Sequence, residues 1–322
     1  MKKFISAGVL IAIFIMGVFT VINRQQKKNN PAQDEKLKIV VSIFPQYDFT
    51  RQITKGLADI EMLIAPGAES HSFEPTPQDI IKIKNSDIFI YIGGESDAWI
   101  DKILKSMDAS DKKIIALMNL IDPVEEELVE GMQDDEQDAE EGGEEKEYDE
   151  HIWTSPKNAI EIVKSLCEIL QEADPKNARA YQKNTSAYIK QLENLDEELQ
   201  SIAKGGKRKT IVVGDRFPFR YLADELKLQY FAAFPGCSTE TQPSAKTIAF
   251  LINKVKTEKI PVVFYIEFSN QKIADIIVER SGAKKLLLHS AHNVSKTDFE
   301  KGISYLDIMK TNAEHLKEAL WL

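Results

Sequence analysis

The sequence predicts an α/β protein of two lobes, each built on a mostly parallel sheet, the pair joined by one long backbone helix. Three observations predict it. Short, largely β-branched apolar runs alternate with helix-like segments over residues 37–118 and again over 205–289, the pattern of strand and crossover in a parallel sheet. A chain of 322 residues exceeds what one core ordinarily serves and suits two. Between the two sets, residues 174–204 contain Pro only near the start, no interior Gly, and Gly205-Gly206 at the end, which reads as a single helix.

Taken in order, the chain begins with Lys2 and Lys3 and then runs from residue 4 to residue 22 without a charged side chain. At about 1.5 Å per residue, such a run in a helix approaches the thickness of a bilayer. No small-x-small cleavage site and no cysteine follow it, so it reads as an uncleaved anchor in preference to a signal peptide. Residues 25–36 are polar, with Asn and Pro, and form a tether, making 1–36 an anchor-and-tether segment.

The first lobe, residues 37–173, opens with Ile39, Val40, Val41, Ile43 and Phe44, a run suited to a strand buried on both faces. Strands over 60–65, 88–92 and 114–118 follow, with helices over 48–57, 76–84 and 99–107 between them. Residues 125–150 break the pattern. They are dominated by carboxylates, repel themselves and bury little apolar area, so they form an acidic loop whose plain role is a solvated insertion. Its carboxylates also suit weak collection of divalent cations. After the linking helix at 174–204, residues 205–322 repeat the alternation, with strands over 210–213, 229–233, 262–268 and 285–289. Two Rossmann-like lobes result.

The formal charge of −10 disfavours a nucleic-acid partner and favours cations near the surface. Two cysteines far apart, Cys167 and Cys237, exclude a disulfide framework and a CxxC zinc knuckle. The five histidines are the informative residues. His71 follows the second strand, His151 follows the acidic loop, and His289 ends the last strand; side chains at the carboxyl edge of a parallel sheet face its crevice. Neutral imidazole is the commonest protein ligand of zinc. An isolated histidine is more often structural, and His315, in a terminal helical stretch, reads that way. His292, three residues beyond His289, is open between ligand, supporting partner and surface residue.

Four segments in order, KIVVSIFPQYDFTRQI, APGAESHSFEPTPQDIIKIKNSDIFIYIGG, DEHIWTSPKNAI and GISYLDIMKTNAEHLKEAL, resemble the zinc and manganese solute-binding proteins of ABC importers, the cluster A-I family, over residues 37–322. The resemblance implies metal-ligand roles for His71 and His151. Where many members place a third histidine or a glutamate, this chain reads GDRFPFRYLADEL and puts Arg216, which cannot ligate. The usual last acidic ligand is matched by His289, the third candidate. The remaining position is open to Asp215, Glu240, His292 or water, and Arg216 is free to pair with a carboxylate such as Glu240. Glu69, Glu74 and Glu150 are candidates to orient the imidazoles.

A histidine-rich set favours Zn2+ over Mn2+, which prefers harder oxygen donors. The resemblance thus implies a monomeric extracytoplasmic binding protein on the outer face of the cytoplasmic membrane, delivering metal to an ABC permease driven by a separate ATPase. No Walker A loop, HExxH helix or GxSxG elbow is present, in keeping with a protein that is not an enzyme. The alternatives are a membrane-anchored zinc hydrolase, which needs an exchangeable metal-bound water, and a surface adhesin of the same fold, for which the sequence offers no repeat or stalk.

Overall fold

The computed structural model describes residues 35–68, 73–107, 112–132, 147–236 and 243–322, apart from the side chain of Ser106. The anchor expected over 4–22, most of the acidic loop, Glu69, His71, Cys237 and Glu240 lie outside these residues. Among the described residues no helix is long and apolar enough to cross a membrane.

The first lobe runs β1 (Leu37–Val41), α1 (Phe44–Thr54), β2 (Ala58–Met62), α2 (Pro77–Asn85), β3 (Ile88–Tyr91), α3 (Ala98–Ser106) and β4 (Lys113–Ala116). The second runs β5 (Thr210–Arg216), α6 (Arg220–Leu226), β6 (Gln229–Phe234), α7 (Ala245–Thr257), β7 (Val262–Tyr265), α8 (Lys272–Ser281) and β8 (Lys284–Leu287). Between them come α4 (Pro156–Ala173) and α5 (Ala178–Gly205), and α9 (Lys296–Glu300) and α10 (Tyr305–Trp321) close the chain. The two sheets share one plan, β2-β1-β3-β4 and β6-β5-β7-β8, and every pairing is parallel. The expected parallel α/β lobes are therefore present.

Local chemistry sets the helix starts. Thr76 caps α2, its hydroxyl taking the Asp79 N–H while Asp79 returns to the Thr76 N–H, with Pro77 in the first turn. Ser155 caps α4 in front of Pro156. Apart from β5 and β6, which extend past theirs, the strands are shorter than their apolar runs: β1 stops at Val41, and Phe44, the last residue of that run, already begins α1. Apolar side chains continue past the strand because the helix that follows is also buried at its start.

The long helix differs from expectation at its beginning. Asp174 does not start it; its backbone N–H ends α4 on the Leu170 carbonyl, its carboxylate accepts the Tyr181 hydroxyl at 2.7 Å, and α5 begins at Ala178. Pro175 sits in the tight connection between two helices. The 28 residues of α5 make a rod of about 42 Å. Its buried residues Tyr181, Thr185, Tyr188, Leu192, Leu195, Leu199 and Ile202 recur every three or four positions and form one continuous apolar stripe. That stripe packs on α4, α1, α10 and α6, so a single core continues from lobe to lobe.

Polar side chains bolt the same seam. Buried Asp48 on α1 accepts the Tyr305 N–H at 2.8 Å, and Arg51, paired with Asp48, donates to the Ile303 carbonyl at 2.8 Å. The Tyr305 hydroxyl donates to the Trp153 carbonyl at 2.7 Å, and the Trp153 indole N–H to the Ser290 carbonyl at 2.8 Å. This chain of bonds runs from the back of the seam to the loops that face the cleft.

Candidate metal centre

In parallel sheets of this order, ligands bind beyond the carboxyl ends of the strands. The cleft between the lobes is lined accordingly: Arg216 ends β5, Gly236 follows β6, Glu267 follows β7, Ser290 and His292 follow β8, and His151 and Ala68 come from the first lobe.

His151 is the best-held of these groups. It is buried, and a single oxygen, Asp149 Oδ1, accepts its backbone N–H at 2.7 Å and lies 3.0 Å from its ring Nδ1. A carboxylate on Nδ1 keeps the proton there, the tautomer in which Nε2 is the ligating nitrogen. Asp149 is itself buried, its carbonyl accepting the Tyr221 hydroxyl at 2.7 Å. Gly236 presses on this pair, because a Cβ there would stand 3.2 Å from Asp149 Oδ2 and 3.3 Å from His151 Cε1. The neighbouring Glu150 accepts the Ser96 N–H at 2.8 Å, and burial raises its carboxyl above the usual range. Glu150 therefore supports the 94–97 turn, where Gly94, at φ +90°, leaves room for its carboxylate.

His292 meets His151 across the lobes. The two rings lie 5.6 Å apart at 82°, and Trp153 closes the triangle at 5.1 Å from His292 and 5.4 Å from His151. Glu267 is held close by: Ser290 donates its backbone N–H to Oε2 at 2.7 Å and its hydroxyl to Oε1.

The second-lobe candidates fall differently from the sequence expectation. His289 is not among the residues lining the cleft; its Nδ1 accepts the Ala291 N–H at 3.0 Å, and its backbone N–H and carbonyl are bracketed by Asn312. The chain turns at Ala291, which lies in the left-handed region at φ +59°, and the turn brings His292 to the cleft in its place. Asp215 also stays off the cleft wall. The pairing of β5 with β6 shifts register between Val213 and Arg216, and since successive strand residues face opposite ways, Arg216 lines the cleft while Asp215 does not. Burial raises the Asp215 carboxyl, with Ser269 and Arg216 opposing that shift. His315 is structural, its Nδ1 bonding the Leu287 carbonyl at 2.7 Å, and Cys167 is a buried free thiol. Among the described residues no three His, Cys, Asp or Glu side chains converge tightly enough to hold an ion.

Sequence reasoning left His292 open and missed Glu267. The apolar run over 262–268 places Glu267 inside a strand, whereas β7 ends at Tyr265 and leaves Glu267 beyond the strand end, at the order reversal of the sheet.

The family model "Zinc-uptake complex component A periplasmic" matches residues 39–319. The chain is 32% identical over 321 residues to the high-affinity zinc uptake system protein ZnuA of Bacillus subtilis, covering 99% of this chain and 98% of that one. It is 31% identical over 292 residues to the zinc-binding lipoprotein AdcA of Streptococcus pneumoniae, covering 90% of this chain but 57% of that protein. The crystal structure of the Zn(II)-bound ZnuA-like domain of the same AdcA is similar with a TM-score of 0.73 at 29% identity, over 88% of this chain and 99% of that one.

Proposed function

This chain belongs to the ZnuA family of periplasmic zinc-uptake components, and from that premise we propose that it captures zinc between its lobes and hands it to an ABC permease. The observation that carries the reading is the Asp149-held imidazole of His151 facing His292 across the cleft. His151 and His292 are the proposed nitrogen ligands from the described residues, with His71 joining them from the sequence pattern, while Glu267, held by Ser290, lines the cleft beside them. Imidazole-rich coordination favours zinc over manganese. Arg216 is a permanent cation on the wall and balances charge without ligating. His289 supports the turn that presents His292 and is not itself a ligand in this reading, and neither is Asp215.

The role is capture and delivery without catalysis, outside the cytoplasmic membrane, by a monomer anchored through residues 4–22. The permease and a separate ATPase are the partners, since the chain holds no nucleotide-binding motif. The acidic segment feeds the site. In support, its stem pairs Glu125 with Tyr148 and ends at Asp149, two residues before His151.

The test is a calorimetric titration of full-length, metal-free protein with zinc and then manganese. One-to-one tight zinc binding, weaker for manganese and lost in His151→Ala, is expected. Absence of tight binding to either ion overturns the reading, and deletion of residues 133–146 is expected to leave affinity intact while slowing capture at low zinc.

A further inference from the structure

Behind His292 a buried side chain, Asn293, joins the two lobes in addition to the Trp153–Ser290 bond. Asn293 donates both amide hydrogens across the seam, to the Ala65 and Ala68 carbonyls of the first lobe, each at 2.9 Å. Its Oδ1 accepts the Val294 N–H at 2.8 Å, and the Val294 carbonyl accepts the Gly67 N–H at 2.8 Å. The orientation of the amide is fixed by these partners, because the reverse would point its oxygen at two carbonyl oxygens. Asn293 and Ala68 both line the cleft, and His292 precedes Asn293 directly.

The turn that carries His292 is also strained and locked. Ala291 is left-handed at φ +59°, a conformation disfavoured for a residue that carries a Cβ. Bonds within the second lobe hold it: the Ala291 N–H on His289, the His292 N–H on the Ser290 hydroxyl at 3.2 Å, and Ser290 on Glu267. A turn fixed this firmly to its own lobe moves with that lobe, so whether His292 stays opposite His151 depends on what holds the turn to the other side. Of four such bonds Asn293 supplies two and orients the segment that makes a third, through Gly67; the fourth runs from the Trp153 indole N–H to the Ser290 carbonyl.

We propose that Asn293 is a positioning residue that clamps the 65–68 turn of the first lobe to the His292 turn of the second, pre-forming the cleft before metal arrives and slowing metal escape. This rests on the metal-capture reading above. The clamp touches no proposed ligand nitrogen, so its effect falls on dissociation more than on the number of ligands.

Site-resolved amide exchange and a chelator-chase stopped-flow measurement on the full-length protein test it together. In the metal-free wild type the Gly67 amide is expected to be protected, and rapid exchange there overturns the proposal whether or not zinc binds. Asn293→Ala is expected to expose the Gly67 amide and to speed zinc release by about tenfold, the scale of two neutral hydrogen bonds, with protection along α5 unchanged. Asn293→Asp keeps the shape and the Val294 bond but sets a carboxylate against two carbonyls, and is expected to release zinc at least as fast as Asn293→Ala. Release rates and Gly67 exchange equal to wild type in either folded variant overturn the clamp. A wild type that binds no zinc yet protects Gly67 tells against the metal reading alone.

Discussion

Asp149 and His151 share one oxygen: Asp149 Oδ1 accepts the His151 backbone N–H at 2.7 Å and faces its Nδ1 at 3.0 Å. The ring is thereby fixed in both orientation and tautomer, the one in which Nε2 would be the nitrogen that donates to the proposed metal. Removing the acceptor in Asp149→Ala is expected to weaken zinc binding about 10–100-fold. Asp149→Asn, whose amide oxygen still accepts both bonds, is expected to lose less. Competition titration against a chelator measures both, and equal loss in the two variants would mean that charge, not orientation, is what Asp149 supplies.

His292 and His289 are separated by the same method. His292→Ala is expected to cost at least about tenfold more zinc affinity than His289→Ala, because loss of a metal bond exceeds loss of support for a turn. His289→Ala instead removes the acceptor of the Ala291 N–H and is expected to lower stability by about 1–2 kcal/mol in denaturant unfolding. The reverse order of affinities would return the ligand role to His289.

Asp97 makes stability depend on pH. Burial pushes its carboxyl up to about 7, against the opposing bonds from the Gly93 and Ile92 N–H groups, and nearby Glu150 adds to the rise. The folded state thus holds a proton that the unfolded chain releases near pH 4. Its stabilisation is full below that pH and is lost as pH rises through about 7. Because the side chain is partly exposed, the change is on the order of 1–3 kcal/mol and not the full shift. Asp97→Asn retains an oxygen for both backbone bonds and is expected to flatten the decline in melting temperature between pH 5 and 8. A variant with the same slope as wild type would assign the decline to other groups.

Tyr221 tests whether the acidic segment's stem and the site are separable. Its hydroxyl donates to the Asp149 carbonyl at 2.7 Å and accepts the Val124 N–H at 3.1 Å. Tyr221→Phe leaves two backbone groups short of a partner and is expected to destabilise by about 1–3 kcal/mol. Zinc affinity should change by less than about threefold, since it is the carboxylate of Asp149 and not its carbonyl that holds His151. A tenfold loss in titration would show that the stem positions the site.

Much of the fold could be read along the chain because it is written in local periodicity. Valines and isoleucines at 39–41 and 262–263 mark strands buried on both faces, and the three-and-four spacing from Tyr181 to Ile202 marks a helix with one apolar stripe. Boundaries were less legible where two signals competed. Pro175 suits a first helical turn, yet the bond from Tyr181 to Asp174 holds residues 174–177 as a connection and starts the helix at Ala178.

The amino-acid order was sufficient for the lobes, the parallel sheets and the presence of His151 at a crevice, since the strand and helix patterns that imply them repeat among neighbours a few residues apart. The partner of His151 was decided in three dimensions. Whether His289 or His292 faces it turns on one left-handed residue, Ala291, and on the Ser290–Glu267 and Asn293–Ala65 bonds, whose partners lie 23 and 228 positions away. The register shift in β5 likewise chose Arg216 over Asp215 for the cleft wall. A side chain's direction at a strand end or in a tight turn reverses with a single backbone angle, and packing between distant segments selects that angle.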